Sequence, residues 1–463
     1  MKFYIILILC FFFKLNMYGQ NLPAYGDVVT TFFTHYSFTD NTAYPKFFKK
    51  KDGWHIIEES YSEPGKVKAE SLFWSNKEKK YITLQYSGAQ DDPAFNSSKI
   101  EEYKKIVDYT YLEYQYSRNK YYGYPGWDWD IINDTVERTM MTDSFWESLA
   151  RAYSNYASGF LFDQSGDHFQ NSDTDRILLA DWQQITKTRI NKFKTYITKA
   201  IEAYKNILQI NPGYETKVGN IKIKYANEYM FAYFDLMLAG DKLSAYEFME
   251  NIEYPDSLIN ISKRYLNGIP QNGILFTGGD NDTYPLWYLQ EVKNYRPDVL
   301  VINTSLLGLR RYINLLDKQQ NRKLFSTRDT IYYKANFEYF LYREPGKSVQ
   351  KKEVGKFIST LNNYSPVANE NEPAFYKNEQ LKEYNSKELY FDVNVAKHGT
   401  GAGVGVSKII ALNDYLLMSD FMILDILKTN LPAREIYFTY FHDLIKSILE
   451  LQEYVYKVVP VSK

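Results

Sequence analysis

Cysteine is nearly absent: the 463 residues hold one, Cys10, inside an apolar run at the N-terminus. With that run removed, disulfides, cysteine-bound metals and thiol nucleophiles are excluded. Histidine is scarce too. His35, His55, His168, His398 and His442 form no H-x-H or H-x-x-x-H pair, so a zinc site has no support. No G-x-S-x-G elbow occurs. After the N-terminal run no apolar stretch reaches the roughly 20 residues of a membrane helix, so no transmembrane segment is expected in the mature chain. Charge of one sign is also missing. The formal charge is −1, or −3 without Lys2 and Lys14, and Lys and Arg are dispersed. No basic stripe follows a phosphate backbone, and nucleic acid is not an expected partner.

The N-terminus does carry a signal. Met1-Lys2 precedes the apolar run Phe3 to Phe13, then Lys14 and a polar exit ending at Gly19-Gln20. A positive start, a short apolar core and a small residue at the exit predict a secretory signal peptide over 1–20. Leu9 stands before Cys10 where a lipoprotein would have a small residue. The expected location is therefore outside the cytoplasm, in the periplasm or at the cell surface. Export without disulfides suits a chain long enough to stand on its own core. Aromatics are abundant, with 44 Tyr, 29 Phe and 7 Trp. They are dispersed, which favours packing over one recognition surface.

The chain changes character along its length. Residues 21–140 read as mixed and β-rich, with strands at Gly53 to Ile57, Ala69 to Trp74 and Lys80 to Tyr86 between turn residues. Tyr124, Trp127 and Trp129 cluster beside Asp128 and Asp130 around a Gly/Pro turn. Such a loop could hold a sugar ring, or could be packed aromatic filling. From Thr142 the spacing turns helical, with Thr142 or Asp143 as cap. Ala200 to Pro212, and Tyr225 to Met249, resemble the helices of a tetratricopeptide repeat. Repeats of this kind bind proteins or brace a neighbour more often than they perform chemistry.

The centre of the sequence is Gly273 to Tyr288. An apolar run ends at Gly278-Gly279-Asp280-Asn281-Asp282, and a helical pattern follows with Thr283 as its expected N-cap and Pro285 in its first turn. Asp298 to Asn303 reads as the next strand. This is βαβ grammar, in which ligands sit beyond the carboxyl ends of the strands. Further on, Leu389 to Val395 and Glu435 to Thr439 read as strands, Met418 to Thr429 as a helix capped by Ser419, and Asp443 to Tyr456 as a final helix. Residues 320–385 read as an insertion or a lid. The glycine loop His398 to Gly405 is followed by a strand rather than a helix, which favours a hairpin over a nucleotide site.

The segment from Ile274 to Leu307, followed by Leu417 to Thr439, resembles the soluble C-terminal region of the bacterial protein O-mannosyltransferase-like membrane family. The likeness covers roughly residues 268–445. Members resemble multi-pass glycosyltransferases that use a lipid-linked sugar donor, with their catalytic acidic loop in the membrane region. This chain has no such region, so the resemblance implies the accessory domain without the transferase reaction.

Asp280 and Asp282 flank Asn281 in a D-x-D-T arrangement. Three roles fit it. The carboxylates can hold the loop and complement the helix N-terminus. They can bind a ligand, or serve as an acid/base pair. The fold class expected is α/β plus α: a mixed β-rich segment over 21–140, a short TPR-like helical module over 141–266, and a Rossmann-like α/β domain over 267–463. The functional expectation is an exported, non-catalytic binding or accessory protein whose partner is an envelope protein or a glycan. The alternative is a glycan-active enzyme using Asp280 and Asp282. Candidate ligand-binding residues are Asp280, Asn281, Asp282, Thr283, Tyr124, Trp127 and Trp129. No metal, cofactor or specific catalytic residue is indicated.

Overall fold

A computed structural model describes residues 23–36, 43–50, 52–60, 67–85, 93–106, 127–134, 141–161, 185–216, 218–250, 252–319, 323–326, 339–342, 351–362, 382–391 and 406–462. The chain divides into two compact units, Met1–Trp127 and Asp128–Lys463. The architecture is mixed α/β, β-rich at the N-terminus.

In the first unit, helix α1 (Tyr25–His35) lies on a four-stranded antiparallel sheet, ordered β1 (Ala43–Lys50), β2 (Gly53–Ser60), β3 (Val67–Ser75), β4 (Lys80–Tyr81). Tyr25, Val28, Val29, Phe32 and Phe33 recur at helical spacing and are buried against Phe47, Trp54, Ile56 and Phe73. Phe32 meets Phe47 edge-on at 5.3 Å. Helix α2 (Pro93–Ile106) packs beside α1. The β2 and β3 strands match the sequence reading; α1 and β1 have no counterpart in it.

Helix α3 (Trp127–Asp134) begins at the last residue of the first unit, and α4 (Asp143–Leu161) and α5 (Lys187–Ile210) follow in the second. The α4 N-terminus is held by Thr142, whose hydroxyl accepts from Phe145 N, as the sequence predicts. Thr186 caps α5 in the same way. A minimal hairpin, β5 (Glu215–Thr216) and β6 (Gly219–Asn220), leads into α6 (Ile221–Ala239) and α7 (Lys242–Met249). Asn220 caps α6, and Gly240 ends it at φ 85°, where a side chain would be strained. Buried Ala150, Ala157, Ala200, Ala203 and Ala232 let these helices approach closely.

Next come α8 (Asp256–Asn267), β7 (Ile274–Thr277), α9 (Asp280–Glu291), β8 (Leu300–Asn303) and α10 (Arg310–Gln319). Strand β9 (Tyr339–Tyr342), β10 (Lys352–Glu353), helix α11 (Val354–Asn362), then β11 (Lys382–Tyr384), β12 (Glu388–Tyr390), β13 (Val406–Ser407), β14 (Ile409–Ala411) and β15 (Tyr415–Leu417) build small sheets beside helix α12 (Met418–Asn430). Finally β16 (Ile436–Phe438), a 3-10 turn, β17 (Leu449–Gln452), β18 (Val455–Val458) and β19 (Val461–Ser462) close the chain. The glycine loop at 398–405 lies outside the described residues.

The central sheet has the order β17-β18-β16-β7-β8. Strands β16, β7 and β8 are parallel, and the β17–β18 hairpin is the antiparallel edge. All of β7 and β16 is buried, the continuous apolar reading of a strand covered on both faces. One apolar cluster runs from Tyr156 and Phe193 of the helices to Ile274, Phe276 and Phe438 of the sheet, so helices and sheet share a core.

Three local expectations change. The final helix is instead a 3-10 turn, Asp443–Ile448, followed by the β17–β18 hairpin. Glu453 turns it at φ 51°, and Val455 and Val458, on opposite faces of β18, pack into two different core clusters. Ser419 does not cap α12: Leu417 is the N-cap, and Asp420 reaches back to its N–H at 3.3 Å. Thr283 is not the N-cap of α9. That helix begins three residues earlier, which places Pro285 inside it.

Candidate functional site

Strand β7 is flanked by β8, reached through α9, and by β16, reached after the chain crosses back. The strand order therefore reverses at β7, and the crevice beyond its carboxyl end is where such sheets receive ligands. Thr277, Asn303 and Thr439 stand at the ends of the three parallel strands.

Asp280, Asn281, Asp282 and Thr283 form the first turn of α9 at this point. Gly279 precedes them at φ 70°, a backbone that favours glycine, and offers no side-chain cap. Asp282 supplies the missing acceptor: its Oδ2 takes Gly278 N at 3.2 Å and the Thr439 hydroxyl. The Tyr440 ring closes over Gly278, where an added Cβ would meet Cε1 at 3.1 Å. Tyr440 OH is in turn 2.7 Å from Thr304 Oγ1.

Thr283 is fully buried. Its hydroxyl donates to Gly279 O at 2.7 Å, lies 2.7 Å from Thr277 Oγ1, and accepts from Asn303 Nδ2 at 2.9 Å. Asn281 joins the helices to the loop. Its Oδ1 accepts from Asn227 Nδ2 and its Nδ2 donates to Val218 O, both at 2.6 Å. Tyr254 OH completes the bridge by donating to Asn227 Oδ1 at 2.8 Å.

Asp280 is the member of this turn without such a bond. The residue as a whole is exposed at the rim, yet burial of its carboxyl among neighbouring groups raises its pKa; Lys224 opposes that rise and Glu228 adds to it. Behind it, the fully buried Glu228 holds Lys224 Nζ at 2.6 Å and accepts from Ser154. Burial pushes the Lys224 ammonium down, but Glu228, Tyr204 and Asp280 outweigh it and leave it raised. Asp235, buried deeper, is raised well above the carboxylate range by burial and then by Glu228, with Ser158 opposing and Asp280 adding.

A cavity of about 540 Å³ opens beside this turn, lined by Gly278 to Asp282, by Leu258, Ile261, Ser262 and Tyr265 of α8, and by Val218. Its wall is an aromatic ring and aliphatic side chains; its rim is a free carboxylate and the helix N-terminus. A larger hollow of about 730 Å³ lies at the amino ends of the same strands. Polar groups there serve the scaffold: Asp298 clamps Arg296, Glu291 accepts from Tyr246, and Arg434 Nε donates to Asn272 O. The carboxyl-end cavity is the better candidate of the two, because it combines a strand switch point with a carboxylate that has no hydrogen bond among the described residues.

Neither Trp127 nor Trp129 is among the residues lining this cavity. Tyr124 falls outside the described residues. Trp127 and Trp129 belong to helix α3 rather than to a loop, two positions apart and so on different faces. Trp127 is buried, and Trp129 stacks on Tyr156 at 4.9 Å. Asp128 is also buried, accepting from Asn155 at 3.0 Å. The sequence reading did not find Thr277, Asn303, Thr439, Asn227 or Tyr265. The signal for the first three was available: each is a polar residue ending an apolar strand.

No curated protein and no solved structure matches the chain. Residues 258–463, from α8 through the C-terminal hairpin, match the family model described as TMEM260-associated domain 2, which points to a TMEM260-like, O-mannosyltransferase-like family.

Proposed function

We propose that this chain is an exported, non-catalytic accessory protein that binds a glycan on a partner of an O-mannosyltransferase-like glycosylation system. In this reading the sheet from β7 onward is a Rossmann-like ligand domain, and α4 to α7 are a TPR-like brace that also meets the partner. The observation that carries it is the unequal standing of the two carboxylates. Both line the cavity, but Asp282 is spent on Gly278 N and Thr439, while Asp280 has no hydrogen bond among the described residues. An acid/base pair needs two groups free to reach one substrate; a binding rim needs one. A hydroxyl is donor and acceptor at once, so it can donate to Asp280 and accept from the N–H groups that open α9. The Tyr265 ring offers a flat apolar face for a sugar.

One observation favours a glycan-active enzyme instead: the raised carboxyl of Asp280, the property of a general acid. Saturation-transfer NMR with soluble mannose-terminated and N-acetylhexosamine-terminated oligosaccharides tests both. Binding predicts transfer to sugar protons, its loss in Tyr265→Ala, and no change in the sugars over time. No transfer to either sugar class contradicts glycan binding. New sugar resonances that vanish in Asp280→Asn favour the enzyme.

A further inference from the structure

A second titratable pair sits where the chain leaves β16, outside the cavity. His442 follows that strand by four residues and precedes the 3-10 turn. Its ring is wedged between Phe438 and Tyr440, with centroids at 5.7 and 5.6 Å. Its Nε2 faces Asp420 Oδ1 across 3.9 Å, and both side chains are mostly buried, at 14% and 19% exposure. That gap is too long for a hydrogen bond. The other ring nitrogen, Nδ1, is buried without a hydrogen-bond partner. Asp420 sits in the first turn of α12, where Oδ2 holds Leu417 N.

We propose that Asp420 and His442 bind a single proton as a coupled pair, forming a proton-operated clasp between α12 and the loop that leaves β16. Two buried groups at this distance, one acidic and one basic, do not take up protons independently. With that proton absent, a carboxylate faces a neutral imidazole, whose single N–H, on Nδ1 or Nε2, can make at most one charge–neutral hydrogen bond across the 3.9 Å gap. With one proton present, Nε2 and Oδ1 can share it at hydrogen-bond distance, as a neutral acid–imidazole pair or as an ion pair. The environment suits sharing. Burial lowers the imidazole while Asp443 opposes that, and burial raises the Asp420 carboxyl, so the two affinities approach each other.

The other titratable groups around the pair are few. Tyr440 lies against the imidazole, and Tyr384 of β11 and Tyr440 both sense the Asp420 charge. Asp443 is on the imidazole's own turn and Asp282 acts on Tyr440. No lysine or arginine is paired with either member among the described residues. The clasp ends three residues beyond Thr439, whose hydroxyl locks Asp282, so a closed pair restrains the segment that carries that lock. This inference is independent of any glycan.

The test follows the His442 resonance in [13Cε1]histidine-labelled protein from about pH 4 to about pH 8, a range spanning carboxyl and imidazole titration. Comparison with His442→Gln assigns the signal. The wild-type curve is expected to show two steps. In Asp420→Asn it should show one, displaced to lower pH by at least about half a unit, because an opposite charge no longer favours the imidazolium. Asp420→Glu should restore two steps, and Asp443→Asn should retain them. A single wild-type step, whatever its midpoint, overturns the proposal. Should Asp420→Asn fail to fold, the wild-type curve still decides: one step overturns coupling and two support it.

Discussion

The Thr439 hydroxyl donates to Asp282 Oδ2 across 157 positions of sequence. It ties the carboxyl end of β16 to the first turn of α9, while Thr439 N adds a bond to Phe276 O at 3.0 Å. Asp282 thereby fixes the glycine turn in front of the cavity. Thr439→Val keeps the shape and removes the donor. The expected loss is about 1–3 kcal/mol, the range for leaving a charged partner short of a bond. Urea unfolding followed by circular dichroism measures it, and an unchanged midpoint would show the bond to be idle.

The buried knot of Thr277, Thr283 and Asn303 makes a sharper case. Thr283→Val leaves Asn303 Nδ2 with only the long 3.4 Å contact to Gly279 O. A loss of about 1–3 kcal/mol is expected for that unsatisfied donor. The double variant Thr283→Val/Asn303→Leu should lose less than the sum of the singles, since the orphaned group goes with it. Additive losses in the same unfolding assay would refute a shared network.

Asp235 predicts a pH dependence. Its folded pKa lies well above the unfolded value, chiefly through burial. The stability contributed by its bound proton is therefore fully present below the ordinary carboxyl pKa of about 3.9 and is lost as pH rises through the folded value. Asp235→Asn carries no titrating group. Its urea midpoint should fall less than that of the wild type as pH is raised above about 4. Parallel curves would mean that Asp235 is not held against ionisation.

Glycines separate crowding from backbone preference. A Cβ on Gly53, at φ 146°, would lie 1.7 Å from Trp74 O, inside the β2–β3 pairing. Gly53→Ala should abolish the fold of the first unit. Gly240 has a positive φ but nothing within 4 Å of its would-be Cβ, so Gly240→Ala should cost only about 1 kcal/mol. Differential scanning calorimetry of both variants distinguishes these outcomes.

The parallel strands were legible because full burial leaves an unbroken apolar run ended by a polar residue: Ile274 to Thr277, Leu300 to Asn303 and Ile436 to Phe438 show it. Caps were legible where the side chain bonds locally, as at Thr142. The start of α9 was not. Thr283 looks like an N-cap in sequence, but its hydroxyl answers to Thr277 and Asn303, partners supplied by the sheet. The C-terminal hairpin was misread because Leu, Glu and Gln at 449–453 favour a helix locally, while Val455 and Val458 are drawn to the sheet core. The α8 wall of the cavity, Leu258, Ile261 and Tyr265, looks in sequence like any amphipathic helix face.

The most direct test compares Asp280→Ala with Asp282→Ala in a thermal melt and in the oligosaccharide titration. If Asp282 holds the loop and Asp280 meets the ligand, Asp282→Ala lowers Tm by several degrees, consistent with a loss of about 1–3 kcal/mol. Asp280→Ala should leave Tm nearly unchanged and weaken sugar binding. The reverse pattern, with Tm insensitive to Asp282 and binding insensitive to Asp280, would contradict the account.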